Sequence, residues 1–250
     1  MSTQATAPDD RSARGCYQAL HRAFDDTLAR SARGAGLVPA LVSQAFDSFA
    51  GNLAIQCEGE PALACKRGCA TCCTLRVGVT APEAWLVARF LRQLNPGLLA
   101  RGIDLVARVR EADAVTRSLG EEARVAERRR CPFLAQGVCV IYGVRPLACR
   151  GHASHDVAAC ADAAAGRAQK IPYSASHQLV RSLVQNAMQS ALRDAGLAWH
   201  VYELNAAIVR AFDDPQAEGV WLQGGDPLAT CAIDEDLRED MAAVFDQLRP

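Results

Sequence analysis

Apolar positions along the chain recur mostly at helical spacing. Tyr17, Leu20, Phe24 and Leu28 fall every three or four residues from Ser12 to Arg30, and Gly34 and Gly36 break the run. Leu41, Val42, Ala45, Phe46 and Phe49 mark one face of a second helix over residues 39–53. The string Thr80-Ala81-Pro82-Glu83 reads as a capping box with proline in the first turn. It opens a helix through Trp85, Leu86, Phe90 and Leu91 that Asn95-Pro96-Gly97 should end. A long polar-faced helix is expected over 98–130, broken near Gly120. The clearest periodicity is Leu179, Val180, Leu183, Val184, Ala187, Met188 and Ala191. Further helices are expected over 199–212 and 234–248, with a loop over 219–230 between them. Alternating patterns are scarce, and Leu75, Val77 and Val79 form the best short strand.

These patterns predict a mainly α fold: a helical domain with two irregular Cys-rich metal-binding loops, near 54–79 and 131–173. Residues 1–11 read as a flexible leader and 12–250 as a single helical domain whose metal-binding core spans about 57–152. Half of the 250 residues are apolar and 22% are charged, which excludes extended disorder. A net charge of −1 argues against a globally basic nucleic-acid binder. The run Arg128-Arg129-Arg130 follows Glu121, Glu122 and Glu127, as on a solvated helix face. The polar start lacks the apolar core of a signal peptide, and no run approaches the ~20 apolar residues that span a bilayer. The expected compartment is the cytoplasm, where thiols stay reduced. Eleven cysteines there point toward metal more than disulfides.

The first cluster is Cys65-Lys-Arg-Gly-Cys69-Ala-Thr-Cys72-Cys73, four thiols within nine residues. Gaps of two or three residues form turns that let successive sulfurs converge on one ion, and Gly68 tolerates the positive φ such a turn needs. Thiolates select zinc or iron–sulfur clusters among the common metals. Ordinary buried cysteine is the bland reading for one thiol but a poor one for this run. Adjacent Cys72 and Cys73 should not easily point the same way. The second cluster comprises Cys131-Pro-Phe-Leu, Gly137-Val-Cys139-Val-Ile-Tyr142 and Arg145-Pro-Leu-Ala-Cys149-Arg150, too loosely spaced to identify a site alone. Arg145 and Arg150 are either surface residues or partners that offset thiolate charge.

Taken together, the two clusters resemble the YkgJ-type CxxCxxCC family over about residues 57–152. The one departure is a three-residue first gap, from Cys65 to Cys69. The family is described as zinc- or iron-chelating, and some relatives are flagellin lysine N-methylases. The resemblance implies metal chelation by Cys65, Cys69, Cys72, Cys73, Cys131, Cys139 and Cys149, with an iron–sulfur cluster or zinc as cofactor. Seven sulfurs exceed the four that one zinc or one cubane needs. Either some thiols stand behind the ligands or exchange electrons, or two metals share the pocket. His152 is a candidate eighth ligand, against the commoner solvent-facing loop histidine.

The leading reading is therefore a metal-binding protein acting in redox chemistry or metal handling, with a protein partner or substrate as a further candidate. The enzyme alternative is protein lysine N-methylation, although no methyltransferase cofactor signature is visible. Cys65-x3-Cys69-x2-Cys72 also matches the radical S-adenosylmethionine signature. Here Thr71 replaces the usual aromatic and repeated βα units are missing. His155-Asp156 does not make a relay, and His21, His177 and His200 read as structural or exposed helix residues. Cys16, Cys57, Cys160 and Cys231 lack motif context and read as ordinary thiols.

Overall fold

A computed structural model describes residues 12–167, 170–233 and 235–249. The leader expected at 1–11 lies outside the described residues, as does Asp234 at the expected start of the last helix. Of the described residues 62% are helical, short 3₁₀ turns included. The α-helices are α1 (Ala13–Arg30), α2 (Leu37–Gln56), α3 (Ala81–Leu99), α4 (Leu105–Thr116), α5 (Glu121–Glu127) and α6 (Leu147–Gly151). They continue with α7 (Val157–Ala164), α8 (Ala175–Asp194), α9 (Leu204–Asp213), α10 (Ala217–Leu222) and α11 (Arg238–Leu248). Four two-residue strands complete the frame: β1 (Gly78–Val79), β2 (Leu134–Ala135), β3 (Val138–Cys139) and β4 (Tyr202–Glu203). β1 pairs antiparallel with β4 and β2 with β3, so the parallel barrel of radical S-adenosylmethionine enzymes is not built among the described residues.

Helix α8 is the central post. It packs on α1, α2 and α6, while α3 bridges from α2 to α9. Of the predicted stripe, Val180, Val184, Ala187, Met188 and Ala191 are at most 1% exposed, Leu183 is partly buried, and Leu179 turns outward at 44% exposed. The buried stripe faces Tyr17, Phe24, Leu41 and Ala45 in one continuous apolar cluster. Each large side chain buried this way contributes roughly 1.5–3 kcal/mol. Local signals also act as read. Ser12 caps α1 by accepting from the Gly15 N–H at 3.0 Å, and the Glu83 carboxylate accepts from the Thr80 N–H at 2.9 Å.

The departures have local causes. Helix α3 does not stop at Asn95-Pro96-Gly97 but runs through Pro96 to Leu99. Proline removes only one N–H near a helix end, and the Asn95 carboxamide is used elsewhere, accepting from the Leu105 N–H at 3.1 Å. The stop comes at 100–104, where the Ile103 N–H returns to the Leu98 carbonyl at 2.9 Å and Asp104 caps α4. The expected 98–130 helix is thereby split into α4 and α5, with the second break at Gly120 as read. Residues 199–201 are not helical. Pairing of Tyr202 with Val79 draws this stretch out, and Glu203 then caps α9 through the Ala206 N–H at 2.8 Å. The expected 219–230 loop holds the end of α10, anchored by fully buried Trp221, whose indole donates to the Ala198 carbonyl at 3.1 Å. Residues 131–173 are less irregular than expected, carrying the β2–β3 hairpin, α6 and α7.

Candidate metal centre

The first Cys segment is a string of tight turns. The Cys69 N–H returns to the Lys66 carbonyl at 2.9 Å, Cys73 to Ala70 at 3.1 Å and Leu75 to Cys72 at 3.2 Å. Gly68 takes φ +93°, as a turn beside a thiol requires. Successive turns bring Cys72 and Cys73 to the wall of one cavity, where Cys73 acts on the Cys72 thiol. The expectation that these neighbours would diverge is thus overturned. Residue-to-residue rotation in a tight turn is small enough for both sulfurs to face the same space.

The second segment docks directly on the first. The Cys131 N–H donates to the Cys73 carbonyl at 2.7 Å. The β2–β3 hairpin sets Cys139 opposite Leu134, and Phe133 and Ile141 beneath it are at most 2% exposed. Cys149 rides on α6, held from two sides. Glu83, fully buried on α3, accepts the Leu147 N–H at 2.7 Å. Gly151 lets α6 approach α8 so closely that an added Cβ would stand 2.4 Å from the Arg181 Cβ. Glu83 therefore does more than close a capping box: it ties the second Cys segment to α3. Burial pushes its carboxyl up, while the N–H donors of Leu147 and Thr80 oppose that shift.

All seven candidate thiols, Cys65, Cys69, Cys72, Cys73, Cys131, Cys139 and Cys149, line one cavity of about 380 Å³. Among the described residues, no three of these sulfurs lie within 4.8 Å of one another. The thiols ring the space rather than meet at a point. Burial pushes Cys131 up to about 12 and holds Cys149 and Cys65 above the ordinary thiol range. The Cys73 hydrogen bond, then burial, does the same to Cys72. Cys72 is the hub: its charge acts on Cys65 on one side and on Cys131 and Cys149 on the other.

Three polar groups face these sulfurs. The Ser154 N–H donates to Cys65 Sγ at 3.3 Å, reinforced by the Ala64 N–H on the Ser154 carbonyl at 2.9 Å. Arg145 stacks on Tyr142, its Cζ 4.0 Å from the ring centre, and its charge favours the thiolates of Cys72, Cys139 and Cys149. Its Nε is buried with no hydrogen-bond partner among the described residues. Arg150 also lines the cavity, where its charge interacts with that of Cys149, but its N–H donors are used elsewhere. It donates to the carbonyls of Arg145 at 2.9 Å and Gly143 at 2.8 Å and stacks on Phe46. His152 stands half-buried in the cavity wall beside Tyr173, not out in solvent. Burial, then the Arg181 charge, lowers its pKa and keeps the ring neutral, with a lone pair free for a ligand.

Sequence reasoning missed Cys160. It lines an adjoining cavity of about 420 Å³ that also exposes Cys65, Cys69, Cys72 and His152, and its charge acts on Cys65. No spacing marks Cys160, since α7 brings it in from beyond both motifs. His21 is buried between Asp25 and Asp194, at 3.0 and 3.3 Å, as a structural histidine would be.

The chemistry of this donor set fits a thiophilic metal: several thiols on one cavity, with the Arg145 guanidinium, its Nε buried and unpartnered among the described residues, close enough for its charge to act on them. Residues 64–172 match the CxxCxxCC family model, described as "Putative zinc- or iron-chelating domain". Over those residues the chain is similar to that family, whose description agrees with the thiol-rich lining of the cavity. No curated protein and no solved structure matches the chain. Among the described residues, no helix is long and apolar enough to cross a membrane.

Proposed function

We propose that Cys65, Cys69, Cys72, Cys73, Cys131, Cys139 and Cys149 form the donor set of an iron–sulfur centre in a protein of redox chemistry or metal handling. The supporting observation is the shape of the thiol ring. Four sulfurs on one tetrahedral zinc stand about 3.8 Å apart, given a Zn–S bond of about 2.3 Å. Here seven sulfurs surround about 380 Å³ with no three within 4.8 Å. A cluster core, which separates its ligating sulfurs by several ångströms of iron and sulfide, suits that spacing better. Such a centre supplies one-electron exchange when bound.

The chain's own residues then have definite tasks. Cys131 and Cys149, kept neutral at pH 7 by burial, release protons to solvent as they ligate. Arg145 offsets the resulting negative charge and offers its unpartnered Nε–H to a sulfur acceptor. The Ser154 N–H orients Cys65. Four thiolates suffice for one cluster, which leaves three for exchange with a partner or a second ion. In this reading the domain is one helical unit over 12–250 with its metal core at about 57–152. It works in the cytoplasm, where thiolates stay reduced. The lysine N-methylation alternative draws no support from the family description.

Anaerobic purification, iron, sulfide and zinc quantitation and a visible spectrum test the reading. Iron and sulfide in equal amounts with broad absorbance near 400 nm is the expected result. A colourless protein with stoichiometric zinc on these thiols would overturn it.

A further inference from the structure

The tightest group of potential metal ligands among the described residues lies outside both motifs. Cys57 Sγ, a Glu60 carboxylate oxygen and a ring nitrogen of His177 all lie within 4.8 Å of one another. Cys57 Sγ and His177 Nδ1 are 3.7 Å apart. A tetrahedral zinc with Zn–S of about 2.3 Å and Zn–N of about 2.0–2.1 Å needs about 3.6 Å between those atoms. The thiol and the imidazole stand at ligand separation, and a metal would take the place of the 2.8 Å contact that His177 Nδ1 makes with the Ser174 hydroxyl.

The backbone accounts for the convergence. Cys57 is the residue that ends α2, its N–H returning to the Leu53 carbonyl at 3.0 Å. A turn follows in which the Glu60 N–H donates to the Cys57 carbonyl at 3.0 Å, so the two side chains emerge together. His177 sits in the first turn of α8, three residues after its cap Ser174. The two helix ends are joined by the Ser176 hydroxyl, which donates to the Gln56 carbonyl at 3.1 Å and to Glu60. The Ser174 hydroxyl donates to the other Glu60 oxygen at 3.1 Å. Phe49 packs edge-on against the His177 ring. Glu60 and His177 are therefore both held in place by neighbours that are not ligands, the support that metal ligands commonly have. All three groups are half-buried.

We propose that Cys57, Glu60 and His177 form a second cation site, for a borderline-soft divalent ion of the zinc class, with solvent as a fourth ligand. One thiolate, one imidazole and one carboxylate suit zinc better than the hard cations, which favour all-oxygen sites, or a cluster, which favours thiolates. The site is separate from the seven thiols, yet His177 also forms part of their cavity wall. A cation here would pin the end of α2 to the start of α8 beside the main centre.

The test uses the full chain, purified anaerobically and titrated with zinc against a chromophoric chelator. Wild type should take up one zinc equivalent that His177→Ala, Cys57→Ser and Glu60→Gln each lose or bind at least tenfold more weakly. The same equivalent should survive in Cys131→Ser/Cys149→Ser, so failure of the main-centre reading would leave this one standing. Cobalt titrated into that double variant should give thiolate charge-transfer absorbance from which Cys57→Ser removes one cobalt equivalent, leaving whatever the remaining cavity thiols hold. Far-UV dichroism confirms the fold of each variant, and Glu60→Gln preserves side-chain size. Equal zinc uptake by wild type and the folded Glu60→Gln and Cys57→Ser variants would overturn the site. That result would leave the same groups as a hydrogen-bonded helix clamp.

Discussion

The α1–α2–α8 frame and the two Cys segments meet across one wall but cohere by different means. The frame presents stripes of residues such as Leu41, Val42, Val184 and Met188 that are fully buried against each other. The Cys segments are turns, a two-residue hairpin and a five-residue helix. Their cysteines are partly exposed as residues, and Cys231 is the single cysteine fully buried as a residue among the described residues. Such short elements cannot bury enough apolar area to offset their ordering, roughly 1–2 kcal/mol per residue of backbone. The frame is stable by burial. The Cys segments need their few anchors, namely the Cys131–Cys73 backbone bond, Glu83 and the metal.

Stripping the metal should separate the two regions most sharply. Structural metal can contribute on the order of 10 kcal/mol to the part it organises. Hydrogen exchange after chelation should lose protection across 64–79 and 131–154 and retain it in α1, α2 and α8. Uniform loss, or none, would break the contrast. Leu41→Ala should act in the opposite way. It should cost about 2–5 kcal/mol in urea unfolding, by nearly the same amount in loaded and stripped protein. A cost that appears only when metal is present would place Leu41 in the wrong region. Glu83→Ala strands the buried Leu147 N–H and should cost about 1–3 kcal/mol. Its signature is weakened metal retention, with Glu83→Gln milder because an acceptor oxygen remains.

The smallest expected effect per step is that of pH. Cys65, Cys72, Cys131, Cys139 and Cys149 are raised, so they are protonated in the metal-free fold at pH 7 and loading releases protons. Apparent affinity should therefore rise with pH, roughly tenfold per unit for each thiol proton displaced, and fall in acid. In the metal-free protein the sign reverses for stability. The contribution of Cys131 is present below the ordinary thiol value of 9.0 and is lost as pH rises toward about 12. Metal-binding titrations from pH 6 to 8 and urea unfolding of the stripped protein above pH 9 check both signs. A pH-independent affinity would mean that the thiols are already ionised.

Much of the frame was legible in the sequence because its causes are local. The Ser12 cap, the Thr80–Glu83 box and the Val180–Ala191 stripe each act within a few residues of themselves. Where distant partners intervened, local reading failed. Tyr202 is drawn into a strand by Val79, and Asn95 does not end α3 because its carboxamide accepts from the Leu105 N–H at the start of α4. At the site, the close spacing of Cys65, Cys69, Cys72 and Cys73 announced thiol chemistry by itself. It carried no trace of Cys160, of Glu83 reaching Leu147, or of Arg145 lacking a partner.

By itself the sequence determined a helical chain with two thiol-rich segments suited to a soft or borderline metal. Those properties reside in side-chain type and in spacings shorter than a helical turn or two. Tertiary structure alone decided which thiols share a cavity, that Cys72 and Cys73 face the same way, and that His177 meets Cys57 and Glu60 across 120 residues. Those meetings depend on how α2, α3, α6 and α8 pack. Packing sums weak contacts over the whole chain, and no short run of residues carries that sum.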